Sequence, residues 1–471
     1  MPWRSARARS DPRRRPRPAR SDVLNRPRID LAERAAEYAF LLLAAVLPWT
    51  IAPMSIATAI LSVLTAGVWL RDRGRSIPST PVTVPGFVWF AATILAALFA
   101  EDVAASLPRV TKGLFPLLVL VAAFHGARPG IGARALAVWL VSASLAAGAG
   151  VWGFLAGAAT LETRARGPVG HYMTFAGQLL LFTSIAAGIA IATRVRAWRI
   201  GAGLAFLIGA AALGMTYTRS AWIGLATGLA VMAGRAKPRW LPAMAALLVA
   251  IVALAPAPYR ERLTSAFDPR HPANVERTYM WIAGGRMFAD HPLTGVGLQD
   301  LKPIYERYRP VGAREDAGHL HSVPIQIAAT MGLVGLVAFA WLYFALVRCG
   351  AAGIGVSLAA GGVGAGLRLG LAGALAAFFV AGLFEWNFGD EELLYPLYVL
   401  AGLAWAARGW DGEVMHPLFV SQRVEAMGAS ASATAALARG AETPGPHGAG
   451  GTARGLARGA VPAGDPAARG A

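Results

Sequence analysis

The chain has 471 residues, 56% hydrophobic and 15% charged, with a mean hydropathy of +0.49. A water-soluble domain carries about 25% charged residues, so a soluble multidomain enzyme is excluded. The apolar residues come in blocks of about 16–25, the length of a helix that crosses a bilayer. A membrane β-barrel, whose strands alternate, is excluded with it. The net charge of +18 would suit a nucleic-acid binder. In a chain built of membrane spans, basic residues instead mark the cytoplasmic side, and no nucleic acid is expected as a partner. A single cysteine, Cys349, excludes an intrachain disulfide and reads as a small packing residue.

Residues 1–34 hold 11 arginines against 4 acids. They are proline-rich and far too long for a signal-peptide n-region, so they read as a disordered cytoplasmic tail. Twelve candidate helices follow, at roughly 36–51, 54–70, 82–100, 110–125, 133–157, 171–192, 198–215, 219–234, 239–256, 321–347, 367–385 and 391–407. Each break between them holds proline, glycine or charge. The loops after the even-numbered helices carry 13 basic residues: Arg71, Arg73, Arg75, Arg128, Arg134, Arg194, Arg196, Arg199, Arg235, Lys237, Arg239, Arg348 and Arg368. The short loops after helices 1, 3, 5, 7 and 11 carry 5: Arg109, Lys112, Arg164, Arg166 and Arg219. The asymmetry puts the even loops and both termini in the cytoplasm. Residues 411–471 are low-complexity Ala, Gly, Arg and Pro, a second expected disordered tail. The fold class is therefore an all-α polytopic membrane protein with about twelve spans, its transmembrane domain covering 35–410 in a lipid bilayer.

Residues 257–320, after the ninth helix, carry nine Lys/Arg and eight acids. Parity puts this loop outside the cytoplasm. Loops of this length are functional or disordered, and the many aromatic residues here argue for a fold. Leu301, Ile304, Tyr305 and Tyr308 follow the i, i+3, i+4, i+7 pattern of a one-faced helix. Asp290-His291-Pro292 and Gly295-Val296-Gly297 separate it from an earlier helix near 276–289. The loop is expected to form short helices over the membrane face.

Ionisable groups concentrate on that outer side, with few candidates near the midplane, where a transporter would want them. Three basic clusters converge by topology. The first is Arg164 to His171, the second Thr216 to Ser220, and the third the long loop, with Arg260, Arg262, Arg277, Arg286, Arg309 and Arg314. Arginine suits diphosphates because its guanidinium fork makes paired, charge-assisted bonds. Arg219 sits in a loop of almost no length and must point into the protein or the interface. His319 and His321 stand where the loop enters the tenth helix, and a histidine there is a candidate general base. Their i, i+2 spacing does not suit a zinc helix. No metal and no cofactor is expected, since the nearest acids in the outer loop are Glu315 and Asp316.

Four stretches resemble, in order, signatures of the bacterial O-antigen ligase and O-antigen polymerase superfamily. They are Gly167-Pro-Val-Gly170-His171 to Phe175-Ala176, Thr216-Tyr-Thr-Arg219-Ser-Ala-Trp-Ile-Gly224, Glu276-Arg277-Thr-Tyr-Met-Trp281 to Asp290-His-Pro-Leu-Thr-Gly-Val-Gly297, and His321-Ser-Val-Pro-Ile-Gln-Ile-Ala-Ala-Thr-Met-Gly332-Leu-Val-Gly335. Ser322 stands where the family often has Asn, and Tyr-Met replaces Pro-Asn after His171. The resemblance implies a metal-independent glycosyltransferase of the bacterial inner membrane, with its active site facing the periplasm. Its donor would be a polyprenyl-diphosphate-linked glycan. The acceptor would be a lipid A-core in the ligase branch, which is the favoured reading, or another lipid-linked repeat unit in the polymerase branch. A flippase for the same lipid is the remaining alternative. On this resemblance Arg219 and Arg277, with Arg286, bind the diphosphate, and His321 with Arg219 is catalytic. His319, Arg166 and His171 are supporting candidates.

The charge asymmetry is testable by alkaline phosphatase fusions within 257–320 and after residue 410. Activity is expected at the first site and none at the second. The reverse pattern would overturn the orientation.

Overall fold

The computed structural model describes residues 31–71, 78–157 and 163–412. Most of the two expected tails, and Arg73 and Arg75, lie outside the described residues. Residues 31–34, assigned to the tail by composition, form the first turn of a helix.

Helices are the regular structure of the described residues, and no strand occurs among them. Helix α1 is Leu31–Val46, α2 Ile51–Arg71 and α3 Thr83–Leu98. A short α4 (Val103–Ser106) continues through a 3-10 segment, Leu107–Leu117, into α5 (Leu118–Gly126). Then come α6 (Ile131–Ala156), α7 (Tyr172–Ala192), α8 (Arg196–Met215) and α9 (Arg219–Ala236). Helix α10 (Leu241–Leu254) turns by 115° into α11 (Ala257–Thr264). The charged loop continues with α12 (Pro272–Asp290) and α13 (Lys302–Tyr308). The chain closes with α14 (Val323–Ala351), α15 (Ile354–Ala360), α16 (Val363–Gly382) and α17 (Glu391–Ala406).

Each of the twelve apolar blocks falls on a helix, but the count of spans differs. Among the described residues, seven helical stretches are long and apolar enough to cross a membrane, or eight if the bent α10–α11 pair is one span. Four blocks fall short even with that pair counted, and for three of them the reason is length; α9 has 18 residues but carries Arg219 and Arg235 at its ends. Helices α1, α3 and α17 have 16 residues each, a rise of about 24 Å against a hydrocarbon core of about 30 Å. Apolar composition marks a block without saying how many of its residues are helical. The protein is a polytopic, all-helical membrane protein.

Helices α7 and α16 form the centre, with α7 packed on α8 and α16 on α9 and α14. They approach closely because glycines line the contact: a Cβ on Gly370 would lie 2.7 Å from the Ile185 Cα, and one on Gly366 2.6 Å from the Ile189 Cα. Small residues at such a seam let backbones touch where the hydrophobic effect gives no drive. Glycine also hid the start of α16. Val363 to Gly366 read as a linker, which put Arg368 in a loop. Instead Arg368 lies within α16, 1% exposed, bonded to the Ser357 hydroxyl and the Ala352 carbonyl. It is an ionisable group inside the bundle that the charge count had placed at its edge.

The loop folds around its own small core of Met280, Ala283, Met287, Ile304, Tyr305 and Leu320. It is fastened to the bundle at a break in α14. Gly332 has φ 62° and ψ −158° in mid-helix, which interrupts the backbone ladder. The loop segment 292–297 repairs it. Val296 and Gly297 donate to the Ala329 and Thr330 carbonyls at 2.8 and 3.1 Å, and Leu333 and Val334 donate to the Pro292 and Leu293 carbonyls at 2.8 and 3.2 Å. A Cβ on Gly332 would overlap the Leu293 carbonyl carbon, and its φ is one that only glycine adopts at little cost.

Gly332→Ala is therefore expected to destabilise the fold by about 3 kcal/mol through strain and overlap. Gly285→Ala, on the exposed face of α12 with open space around it, should gain ~0.5–1 kcal/mol of helix stability. Unfolding midpoints in detergent separate the two, and equal midpoints would mean the break is not structural.

Candidate active site

At the end of the bundle that carries the loop, four helix termini meet α12. Helix α9 begins at Arg219. The chain reaches it through Tyr217, which has φ 52°, uncommon for a residue with a Cβ. The turn brings Arg219 inward, 7% exposed. Its guanidinium donates to Ser265 Oγ at 3.0 Å and to Asn274 Oδ1 at 3.1 Å. Asn274 in turn donates to the Ser265 and Asp268 carbonyls at 2.9 and 2.7 Å. Arg219 thus clamps the α11–α12 corner with neutral acceptors, and its charge has no carboxylate partner among the described residues. Arg262 on α11 is in the same state, donating to the Tyr217 carbonyl at 3.3 Å.

On α12, Arg277 pairs with Glu385 at 2.8 Å, while its Nε is buried without a partner. Glu385 lies in the connection between α16 and α17. Its other oxygen accepts from His321 Nδ1 at 2.9 Å. Burial pushes the Glu385 carboxyl up, but the His321 hydrogen bond and the Arg277 charge outweigh it and hold it below the usual carboxylate range. An ionised carboxylate only accepts, so His321 Nδ1–H donates to it, and in the neutral ring that leaves the Nε2 lone pair open. A base oriented by a carboxylate is the arrangement of a catalytic dyad.

His321 has φ 45°. It is held there by Gln326, whose backbone N–H bonds the Ser322 carbonyl and whose side-chain oxygen accepts from Leu320 N–H, both at 2.8 Å. Strain at a left-handed non-glycine costs about 1–3 kcal/mol and gathers at functional sites. The His319 ring meets His321 edge-on at 4.2 Å. Burial, with His321 close by, keeps His319 below the ordinary imidazole range.

A cavity of about 300 Å³ opens beside these groups, lined by Arg219, Arg262, Arg277, Glu385, Trp281 and Phe384 among others. Three arginines face one carboxylate. Tyr172 also lines it, with the Arg164 guanidinium over its ring at 4.5 Å. Among the described residues no group of three or more His, Cys, Asp or Glu is placed to hold a metal ion.

The expected site residues divide accordingly. Arg219, Arg277, His321 and His319 come together. Arg286 does not: it stands nine residues after Arg277, about 180° around α12, and bonds the Tyr308 carbonyl at 3.0 Å on the outer face. Arg166 is exposed, and its neighbour Arg164 takes the inward place. His171 caps α7 at the edge of the site, 3.4 Å from Thr174, whose hydroxyl donates to Asp390 at 3.0 Å. Glu315 and Asp316 do not line the cavity, and Asp316 pairs with Arg309. The acid that matters, Glu385, escaped the sequence reading because it fell at the end of the expected helix 367–385, while acids were weighed only in the long loop. Its signal was a single carboxylate in a short apolar connection, Gly382-Leu-Phe-Glu385-Trp-Asn.

Residues 204–340 match the family model described as O-antigen ligase, which supports the resemblance to the O-antigen ligase superfamily. No curated protein matches the chain. The match includes Arg219, Arg277, His321 and Gly332, and it supports a membrane glycosyltransferase of the ligase or polymerase type. Glu385 and Arg164 fall outside it.

Glu385 also sets an acid limit on stability. Its folded pKa lies below that of the unfolded chain. The ionised form therefore stabilises the fold above the usual carboxylate range, and that contribution is lost as pH falls through the depressed value. Glu385→Gln is expected to lower the unfolding midpoint at pH 7 and to flatten its decline toward acid. An acid limb identical to wild type would rule Glu385 out as the ionised partner.

Proposed function

We propose that the protein is an O-antigen ligase-like glycosyltransferase that moves a glycan from a polyprenyl-diphosphate carrier to an acceptor hydroxyl on the periplasmic side of the bacterial inner membrane. One observation carries this reading: a cavity where three arginines face one carboxylate, and that carboxylate orients a histidine with an open Nε2. The excess positive charge suits a diphosphate, and the Arg277 Nε supplies a donor that nothing among the described residues uses.

In this reading the acceptor hydroxyl gives its proton to His321 Nε2 as its oxygen attacks the anomeric carbon of the donor sugar. The carbon–oxygen bond to the diphosphate breaks, and the electron pair stays on the diphosphate. Arg219, Arg262 and Arg277 face the oxygens where that charge develops, which is where fixed cations lower a barrier most. Glu385 keeps the Nδ1 proton in place and stabilises the imidazolium that forms. The Arg277–Glu385–His321 chain links the cation that holds the leaving group to the base that activates the nucleophile, and no metal is required by this scheme. The favoured acceptor is a lipid A-core. Polymerisation of lipid-linked repeat units is the alternative outcome at the same cavity. A flippase would need charge along a path through the bundle, whereas these groups gather at one end.

His321→Ala is expected to lower transfer by roughly 10²–10⁴-fold, the usual contribution of a positioned base, with donor binding retained. His319→Ala should cost less. Arg219→Lys should lose most activity, because a point charge replaces a planar fork that also clamps Ser265 and Asn274. Activity per folded molecule in nanodiscs is the measurement. A stable, fully active His321→Ala would remove the base from the scheme, and an unchanged rate in Arg219→Lys would make that arginine structural.

A further inference from the structure

The arginine cavity has two kinds of wall. On α12, Arg277 and Trp281 are four residues apart, on one face of the helix and about 6 Å along its axis. Opposite them, the connection after α16 carries Phe384 and Glu385 as neighbours. All four residues line the cavity. Arg277 meets Glu385 at 2.8 Å, and the Trp281 ring meets the Phe384 ring with centroids 6.1 Å apart and planes tilted by 42°. A charged pair and an aromatic pair therefore lie side by side, one helical turn apart.

The fold alone does not account for the aromatic pair. Trp281 packs against the loop core on one side and lines the cavity on the other. Its Nε1 is buried without a hydrogen-bond partner among the described residues. A buried indole usually uses that donor, so no bond of the fold explains an indole here. Phe384 is 37% exposed, a large apolar side chain at a cavity rather than in a core. What the pair presents is ring surface. Such a surface beside a charge cluster suits a hydrocarbon chain or the C–H face of a sugar ring. Position decides between them. Helix α12 is part of the charged loop and not of a membrane-crossing stretch. Phe384 adjoins the Glu385 that orients His321. The base must reach the anomeric carbon, so the sugar end of the donor is the end that lies here. The volume of about 300 Å³ is at the low end for small-molecule sites, which suits a diphosphate with one ring rather than a whole glycan.

We propose that Trp281 and Phe384 form the platform for the first sugar of the donor, the ring joined to the diphosphate, and so select a sugar-bearing carrier over the bare one. The inference rests on the glycosyl-transfer reading above and adds the residues that hold the sugar. Arg277 takes the diphosphate, and one turn along α12 Trp281 takes the ring attached to it. The bare polyprenyl diphosphate left after transfer loses the platform contact. The same two rings thus strengthen substrate binding and favour release of the spent carrier.

The test measures binding to the full chain in nanodiscs by microscale thermophoresis. The two probes are undecaprenyl diphosphate alone and undecaprenyl diphosphate carrying a single glucose. Wild type is expected to bind the glucose-bearing probe about tenfold more tightly, the scale of stacking on two rings. Trp281→Leu should bring the two probes level. Phe384→Ala, which removes a partly exposed ring and spares the core, should cut the preference about threefold. Both variants should bind the bare probe as wild type does. Equal binding of the two probes by wild type overturns the proposal. So does a preference that survives in Trp281→Leu protein eluting as a folded species from size-exclusion chromatography. Equal weakening of both probes also overturns it, since the rings then serve the lipid or the fold. Should Trp281→Leu fail to fold, Phe384→Ala decides, and an undiminished preference in that variant overturns the proposal. Binding of neither probe by wild type would instead overturn the transferase reading beneath it.

Discussion

A backbone group in a membrane bundle must find its hydrogen-bond partner within the protein, because lipid supplies none. The break at Gly332 releases carbonyls at Ala329 and Thr330 and N–H groups at Leu333 and Val334, and the loop segment 292–297 satisfies all four. Neither partner is complete alone. The helix would expose polar backbone, and the loop would lack its anchor. That mutual dependence fixes the position of α12, which carries Arg277, and of the segment that delivers His321 to the start of α14.

Charge balance organises what is then held in place. Arg219 and Arg262 are bonded to neutral oxygens, so their positions are set without their charges being cancelled. Only Arg277 meets a carboxylate, and Glu385 divides itself between that arginine and His321. An isolated carboxylate as buried as Glu385 would be expensive to ionise. Two partners make the charge tolerable, and the same bonds select the histidine tautomer. Stability and chemistry thus draw on one small network, and backbone strain at Tyr217 and His321 is tolerated to assemble it.

The all-helical membrane class was legible from composition, because apolar blocks of span length leave few other architectures. The loop helices were legible too: Leu301, Ile304 and Tyr305 show helical spacing in the sequence and are buried in the structure. The same rules misread the start of α16, where Gly366, which serves close packing against Ile189, read as part of a linker. They gave about twelve spans where seven or eight described stretches are long and apolar enough to cross a membrane, and hydropathy does not report where a helix ends.

At the site, the sequence by itself determined which chemical groups were at hand: arginines near the outer helix ends, and a histidine at the mouth of α14. Only the tertiary structure decided which of them meet. Arg277 and Arg286 are equivalent as residue types, and half a turn of α12 sends one to the cavity and the other to the surface. Arg164 and Arg166 are separated in the same way by the path of the chain before α7. Glu385 is 64 residues from His321 along the chain and 2.9 Å from it in space. No local pattern encodes that contact, because it depends on how α14, α16 and α12 pack, and packing is a property of the whole bundle rather than of any one segment.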